Sequence, residues 1–276
     1  WSDCERHCVL CVVCVLHASA LNACISIMIT RTRGIFFRNG VKLSEPEQGR
    51  CQRLGIPPAY TNVIVHPKDA KLQATAVDAQ GKTHYYYHET YLDAQRKKRK
   101  ARASDIDFTK IKSTTGRILS QAGHPSWDDA LALRMIAAGY LRTGVTERDT
   151  GALGAFSLQR KHVRLRGDGQ TVAFDFPAKS GQRRVFEARD RVLHAALSTR
   201  RTGTLVGSAK YERVRDLLRK IVRNKDIQLK DIRTAGSMQL FEKHLRVSNG
   251  DEKLARKVTA ETIGHTPAVS KKFYLL

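Results

Sequence analysis

Five polar side chains in the carboxyl-terminal half of the chain stand where a predicted helix, strand or turn ends. They are Arg142 in YLRTG, Lys179 in FPAKSG, Arg233 in LKDIRTAGS, His265 in IGHTP, and Tyr274. Functional residues concentrate at such positions because a rigid scaffold presents them there. Taken singly, each has an ordinary structural explanation, such as a helix-terminal cation, a turn lysine, a helix cap or a core aromatic. Their combination is what indicates a site.

Together these residue types could break a phosphodiester without metal or water. A tyrosine hydroxyl, with a pKa of about 10, becomes a nucleophile when nearby cations favour the phenolate. Arginine forks and an imidazole can bind the nonbridging phosphoryl oxygens, on which negative charge accumulates. A lysine at a hairpin tip can protonate the departing 5′ oxygen. The phosphotyrosine retains the bond energy, so rejoining the strand would need no ATP.

The pattern from about residue 103 predicts a mainly α domain that positions these side chains. Ser126 is placed to cap a helix over residues 126–141, and further helical stretches are predicted at 209–224, 229–246 and 250–263. Pro267 suits the first turn of a last short helix that carries Tyr274. One face of the first of these helices is apolar and contains Leu131, Met135, Ile136 and Tyr140.

Two segments of alternating or β-branched sequence predict strands. Residues 162–188 alternate apolar and polar side chains around the turns GDG and AKSG, which predicts a three-stranded antiparallel ribbon with Lys179 at one tip. Residues 29–95 are rich in β-branched and aromatic residues broken by Gly, Pro, Asn and Asp, which predicts a small β-rich domain. The basic run RKKRKAR at 96–102 is interpreted as a linker or solvated helix face that also touches phosphate. The fold class is therefore α+β.

The charge of the chain points to a polyanionic partner. Lys and Arg number 49 against 26 Asp and Glu among 276 residues, for a net charge of +23. The positive residues are spread along the chain and not gathered on one amphipathic helix, which favours nucleic acid over a membrane surface.

The cysteine-rich first 28 residues admit three interpretations. Five of the six cysteines fall there, and Cys4, Cys8, Cys11 and Cys14 have spacings compatible with zinc or iron-sulfur binding. The segment also lacks charge from His7 through Thr30, as an export or membrane segment would. We expect a nonessential leader or an artefact of the reading frame, and no metal, because no partner ligands stand elsewhere.

A possible nucleotide loop is better explained as a hairpin. Residues 76–83, AVDAQGKT, match a relaxed phosphate-loop pattern, but Ala76 replaces the first glycine and both flanks alternate like strands. Gly81 is therefore predicted to turn a hairpin. We expect no nucleotide and no other cofactor.

The motifs KDIRTAGS, IGHTPAVSKKFY, and GALGAFSLQRKHVRLRGD followed by FPAKSG resemble the type IB DNA topoisomerases of the poxvirus and bacterial kind. IPPAYTNVIV and LQATAVDAQGKTHYYYH resemble their amino-terminal β domain. The resemblance runs from about residue 29 to the end. It implies two domains that close on double-stranded DNA, with Arg142, Lys179, Arg233 and His265 assisting Tyr274 in forming a 3′-phosphotyrosyl nick.

The resemblance also assigns three further residues. Tyr85 and Tyr87 correspond to aromatic residues that the β domain presents to DNA, although ordinary strand packing explains them equally well. Lys230, which we also expect to contact DNA, stands where the related tyrosine recombinases carry histidine, which favours a topoisomerase. Family members continue beyond the nucleophile, so we expect the catalytic domain, 103–276, to be truncated at its carboxyl end.

These observations predict ATP-independent relaxation of supercoiled DNA by a monomer that requires no metal. The alternatives are a tyrosine site-specific recombinase and a noncatalytic DNA-binding fragment. The expected location is the nucleoid of a bacterial cytoplasm, or a viral or host DNA compartment.

Overall fold

The computed structural model describes residues 29–144 and 151–266, and the chain divides into two compact units between Gln95 and Arg96. Each unit has a hydrophobic core of its own, as separately packed domains do. The first 28 residues and Tyr274 lie outside the described residues. The leader, the cysteine cluster and the last helix therefore stay predictions.

The first unit contains a six-stranded antiparallel sheet in the order β3-β2-β1-β4-β5-β6, counted over the described residues. Alternate residues of its central strands face the core, where Val63, Val65, Ala74 and Ala76 are buried. The prediction of a β-rich amino-terminal domain is confirmed. The strands are β1 (Ile29–Thr32), β2 (Ile35–Arg38), β3 (Val41–Lys42), β4 (Thr61–Val65), β5 (Leu72–Val77) and β6 (Thr83–Tyr87).

A helix that was not predicted from the sequence lies between β3 and β4 along the chain. Helix α1 (Glu45–Arg53) has proline at its start, acidic residues in its first turn and arginines in its last, all of which favour a helix. The Gln48 side chain accepts a hydrogen bond from the backbone nitrogen of Phe36 at 3.1 Å and donates one to its carbonyl at 2.7 Å. These two bonds tie α1 to β2.

The segment that resembled a nucleotide loop forms the turn between β5 and β6. Gly81 has a φ of +78°, and its backbone nitrogen donates to the carbonyl of Asp78 at 3.0 Å. The chain then continues as a strand and not as a helix, so the helix N-terminus that a phosphate loop requires does not follow. The hairpin interpretation agrees with this geometry.

The second unit is mainly helical and contains a three-stranded antiparallel sheet in the order β7-β8-β9. The predicted ribbon is confirmed, and the three later helical stretches match to within a few residues. The strands are β7 (Val163–Leu165), β8 (Thr171–Pro177) and β9 (Arg183–Arg189). Helix α2 (Glu89–Ser104) begins in the first unit and ends in the second. The other helices are α3 (Phe108–Leu119), α4 (Trp127–Gly139), α5 (Arg191–Ser198), α6 (Tyr211–Val222), α7 (Leu229–Val247) and α8 (Glu252–Ile263).

The basic run at 96–102 lies within helix α2. Helical structure therefore begins before residue 103, where the sequence analysis placed its start. Long side chains of Lys and Arg have good helix propensity, which explains how a connector of this composition extends a helix.

Helix α4 lies at the centre of the second unit. It is buried on almost every side and not on a single face, because α3, α5, α6, α7 and β9 all pack near it. Ser126 occupies the predicted N-cap position, but its side chain makes no capping hydrogen bond. The helix ends at Tyr140, whose φ of +49° is left-handed and turns the chain sharply.

No helix in the described ranges combines the length and apolarity needed to cross a bilayer. Those ranges also contain no group of three or more His, Cys, Asp or Glu side chains placed to hold a metal ion. The membrane and metal interpretations concerned the first 28 residues, on which neither finding bears.

A buried ion pair helps to join α4 to two of the helices around it. Arg134 donates to both carboxylate oxygens of Asp190 at 2.9 Å, and it also donates to the carbonyl of Lys112 at 2.6 Å. Asp190 in turn caps α5 by accepting from the backbone nitrogen of Leu193 at 3.0 Å. The arginine therefore connects α4 with the middle of α3 and the start of α5.

Substitution of Arg134 by methionine should strongly destabilise the second unit. The change leaves the buried Asp190 carboxylate uncompensated, which costs about 3–5 kcal/mol in comparable pairs. The matched control is Arg166→Met, since the Arg166–Glu187 pair is about half exposed and such pairs contribute roughly 0–1 kcal/mol. Urea unfolding measures both free energies of unfolding, and equal losses for the two variants would contradict the assignment.

Candidate active site

Four of the five side chains predicted to act together line one cavity of about 300 Å³ in the second unit. Arg142, Lys179, Arg233 and His265 come from four different parts of the chain. Tyr274, the fifth, lies outside the described residues. A larger cavity of about 620 Å³, lined in part by Trp127 and Val192, contains none of them.

Arg142 is presented by the segment that leaves α4. Two glycines allow this segment to press against a second one, because a Cβ on Gly154 would meet the Arg142 carbonyl oxygen at 2.5 Å. A Cβ on Gly144 would meet the backbone of Gly154 at 2.6 Å. Ala155 donates its backbone N–H to that same Arg142 carbonyl at 2.8 Å. The backbone of Arg142 is therefore fixed although its side chain is exposed.

Lys179 lies at the tip of the β8–β9 hairpin, as predicted. The turn Lys179–Gly181 is closed by a hydrogen bond from the backbone N–H of Ala178 to the carbonyl of Gln182 at 2.6 Å. Leu153 donates its N–H to the carbonyl of Pro177 at 2.9 Å. The segment that packs against Arg142 is therefore also bonded to the base of the lysine hairpin.

Arg233 points from the first turns of α7 and is 5% exposed. Its Nη1 donates to the carbonyl of Tyr140 at 2.7 Å, and its Nη2 donates to the carbonyl of Gly264 at 3.1 Å. Gly236, one turn further on, lies so close to the Tyr140 ring that a Cβ there would overlap the ring. The start of α7 is fixed by Asp231, which is fully buried and accepts from Arg102 Nε at 2.8 Å.

His265 follows the end of α8, where Gly264 adopts a left-handed φ of +78°. The backbone nitrogens of Gly264 and His265 both donate to the carbonyl of Ala260, at 2.9 and 3.0 Å, which ends the helix and turns the imidazole into the cavity wall. Burial, followed by the charge of Arg233, lowers the pKa of His265 to about 4. Its imidazole is therefore neutral at neutral pH.

Arg184, a third arginine of this cavity, was not among the residues predicted from the sequence. It lies on β9, is 9% exposed, and donates from Nη2 to the carbonyls of Gly139 at 2.6 Å and Thr262 at 3.2 Å. Burial, followed by the charges of Arg233 and Arg142, lowers its pKa to about 9. The signal was present in RRV, since strand alternation places one of two consecutive arginines inward.

The electrostatics of the cavity suit an anionic ligand. Three arginines and a lysine line it, and among the described lining residues there is no Asp or Glu. Like charges in a partly buried site repel each other, and a bound oxyanion would offset that repulsion. Arginine forks and lysine are also the side chains that bind phosphate oxygens best.

Of the three residues predicted to contact DNA, Lys230 lies beside the candidate site, and the two tyrosines lie on β6 of the first unit. Lys230 lines an adjacent cavity of about 280 Å³ together with Arg142, Lys179 and Arg233. Tyr85 and Tyr87 lie on the same face of β6 and are 50% and 38% exposed, in agreement with the predicted alternation. Their contact with DNA stays a prediction.

Two family models match the chain. The one described as "Bacterial DNA topoisomerase IB, N-terminal domain" matches residues 36–78, and the one described as "Eukaryotic DNA topoisomerase I, catalytic core" matches residues 92–273. DNA topoisomerase 1B of Acanthamoeba polyphaga mimivirus is 27% identical over 280 residues, which cover 87% of this chain and 81% of the relative. DNA topoisomerase 1B of Vaccinia virus (strain Copenhagen) is 22% identical over 268 residues, which cover 87% and 82%.

The lowered pKa of His265 can be measured by NMR. The imidazole signals of His265, assigned by their loss in His265→Gln, should titrate with a midpoint near pH 4. In urea the midpoint should return to about 6.5, the value of an unperturbed histidine. A folded-state midpoint at or above the value in urea would contradict the account.

The same shift has a consequence for stability. Because the folded-state pKa lies below the unfolded one, the unfolded chain binds more protons between about pH 6.5 and 4, and stability falls as the pH falls through that window. The parent protein should therefore lose more stability over this window than His265→Gln does.

Proposed function

Since the chain belongs to the type IB DNA topoisomerase family, whose members are isomerases, we propose that it relaxes supercoiled DNA through a transient single-strand break. The observation that carries the proposal is the cavity of Arg142, Lys179, Arg233 and His265, which no carboxylate of the described chain lines. The ligand that this cavity would bind is the phosphodiester to be cleaved.

Arg142 and Arg233 are proposed to bind the nonbridging oxygens of this phosphodiester. Negative charge on these oxygens increases as the nucleophile attacks, so preorganised guanidiniums stabilise the transition state more than the ground state. Arg233 is well suited to this role because its two backbone acceptors, the carbonyls of Tyr140 and Gly264, hold the planar group in one orientation.

His265 is proposed to act as a neutral hydrogen-bond donor. With its pKa lowered to about 4, the imidazole carries a single N–H at neutral pH and has no proton to release as an acid. An N–H directed at a phosphoryl oxygen would help to stabilise the charge there. This division leaves Lys179, at the hairpin tip, as the proposed donor of a proton to the 5′ oxygen.

Tyr274 is proposed as the nucleophile. Attack of its phenolate on phosphorus forms the 3′-phosphotyrosine bond and releases the 5′ hydroxyl, which takes its proton from Lys179. The broken strand then rotates about the intact one, and the 5′ hydroxyl attacks the phosphotyrosine to restore the backbone. Each step exchanges one phosphate ester bond for another, so we propose that neither ATP nor a metal ion is needed. We also propose that a monomer suffices.

A tyrosine recombinase is the second candidate, because it would use the same chemistry for strand exchange. Lys230 argues against it: this residue, at the position where recombinases carry histidine, lines the cavity next to Arg142 and Arg233. Both candidates require DNA as the partner, and the net charge of +23 supports binding of it along the whole chain. We propose that the protein acts wherever supercoiled DNA is held, in a nucleoid or in a viral or host compartment.

Supercoiled plasmid should be relaxed in the presence of EDTA and without ATP. Positive and negative supercoils should both relax, because strand rotation has no preferred direction. Tyr274→Phe should retain DNA binding and form no nick, and agarose gels with a filter-binding assay measure the two activities. Strict dependence on Mg²⁺ or nucleotide would refute the mechanism, and recombination between two defined sites without relaxation would select the second candidate.

Lys179 can be separated from the arginines by changing the leaving group. Lys179→Ala should cleave ordinary DNA about 10²–10⁴-fold more slowly than the parent protein, because an alkoxide leaves poorly without a proton. On a substrate whose leaving group is an acidic phenol it should recover much of that rate. Arg142→Ala should stay impaired on both substrates, since its charge acts on the phosphoryl group.

Lys230→Ala is the matched control for this experiment, since it removes a second lysine near the same arginines. Its rate should change by the same factor on both substrates. If Lys230→Ala is the variant that the phenolic leaving group restores, Lys230 is the acid and Lys179 is not.

A further inference from the structure

Arg184 joins the ends of two helices through a single nitrogen. Its Nη2 donates to the carbonyl of Gly139, the last residue of α4, at 2.6 Å and to the carbonyl of Thr262, near the end of α8, at 3.2 Å. Carbonyls at helix ends lack partners within the helix, and a cation is favourable beside them. A charged donor is therefore a natural group to join these two ends.

Arg233 makes an equivalent connection between residues slightly further along the chain, one residue after Gly139 and two residues after Thr262. It joins the carbonyls of Tyr140 and Gly264, which follow the two acceptors of Arg184. Two buried guanidiniums, one from β9 and one from α7, thus hold the same pair of chain segments. Arg142 and His265 each follow those segments directly.

We propose that Arg184 is a positioning residue for the cleavage reaction, one that fixes where Arg142 and His265 stand relative to Lys179. This inference rests on the proposed function of the site. Arg184 lies on the strand that leaves the Lys179 hairpin, so its bonds join the hairpin to both helix ends. Through this one side chain, three of the four groups that line the cavity are held to a common support.

The electrostatic setting distinguishes Arg184 from an ordinary core residue. Its guanidinium is held among like charges, and its Nε and Nη1 are buried without a hydrogen-bond partner in the described part of the chain. An apolar side chain of similar size would avoid both costs. The contact with the Phe186 ring, 4.9 Å from its centroid, and the two carbonyl bonds offset part of these costs, and the carbonyl bonds are the contacts through which the side chain acts on the cavity.

Gly264 supplies a second, independent contact. Arg184 Nη1 packs so tightly against Gly264 that a Cβ at this glycine would overlap it. The position thus favours glycine for two reasons, its left-handed φ of +78° and the space that the guanidinium fills, from which a Cβ would have to displace the end of the Arg184 side chain. The residue that follows is His265, so displacement of this contact should move the imidazole.

The first test compares Arg184→Met with Arg183→Met. The two arginines are consecutive on β9 and the charge lost is the same, but Arg183 is exposed and pairs with Asp175 at 2.6 Å. At saturating DNA, Arg184→Met should slow single-turnover cleavage by about 10- to 100-fold, the effect of a small misplacement of reacting groups. Arg183→Met should cleave at nearly the parental rate. Equal rates for the two variants would overturn the proposal.

A double-mutant cycle separates positioning from a general structural defect. If Arg184 acts by placing His265, the effect of Arg184→Met should shrink in a His265→Gln background, because the group it places is gone. Fully independent effects, each multiplying the other, would contradict the positioning role.

A second variant covers the case in which Arg184→Met does not fold. Gly264→Ala leaves the charge of Arg184 in place but occupies its space, whereas Gly250→Ala, with a φ of +91° and nothing within 4 Å, shares only the backbone strain. Cleavage should be slowed by the first substitution and not by the second. Identical behaviour of the two alanine variants would show that the Arg184 contact does not matter.

NMR of His265 makes the inference independent of the reaction. Arg184→Met or Gly264→Ala should shift the imidazole signals, and loss of the Arg184 charge should raise the His265 pKa; Arg183→Met and Gly250→Ala should do neither. If the parent fails to cleave DNA, the proposed function falls while these spectra still decide whether Arg184 positions His265. Unchanged spectra in both test variants would overturn the positioning role even if the parent cleaves DNA.

Discussion

The two helix ends that carry Arg142 and His265 are bonded to a pair of buried guanidiniums, and the geometry of the cavity depends on those bonds. Arg184 and Arg233 each donate to one carbonyl from the α4 end and one from the α8 end. The helix ends need donors, and the arginines need acceptors once they are buried. These four bonds meet both requirements, so the site and the helix termini stabilise each other.

This arrangement concentrates positive charge at some cost to the folded protein. The lowered pKa values of Arg184 and His265 have burial as their first cause and neighbouring arginines as the second. A protein selected for stability alone would place a carboxylate here, as it does beside Arg134 and Arg102 in the same unit. Because no carboxylate lines the described cavity wall, a bound anionic ligand would supply the counter-charge. Local conflict of this kind is expected at functional sites.

Much of the fold and of the candidate site could be predicted from the sequence. The β8–β9 ribbon and the later helices follow from periodicity, and Arg142, Lys179, Arg233 and His265 from their places at element ends. Helix α1 was missed because nine mainly polar residues carry little periodic signal and are held by Gln48. Arg184 was missed because its role depends on the carbonyls of two distant helices. The assignment of Tyr274 rests on the motif alone.

The covalent intermediate decides whether these groups serve a tyrosine nucleophile. When the fragment that bears the 5′ hydroxyl is short enough to dissociate, the nick cannot be resealed, so the protein should remain attached to the 3′ phosphate of the other fragment. Digestion and mass spectrometry of the trapped complex should place the nucleotide on the peptide that contains Tyr274. Attachment at another residue, such as Tyr211 in the adjacent cavity wall, or cleavage with no covalent complex at all, would contradict the account.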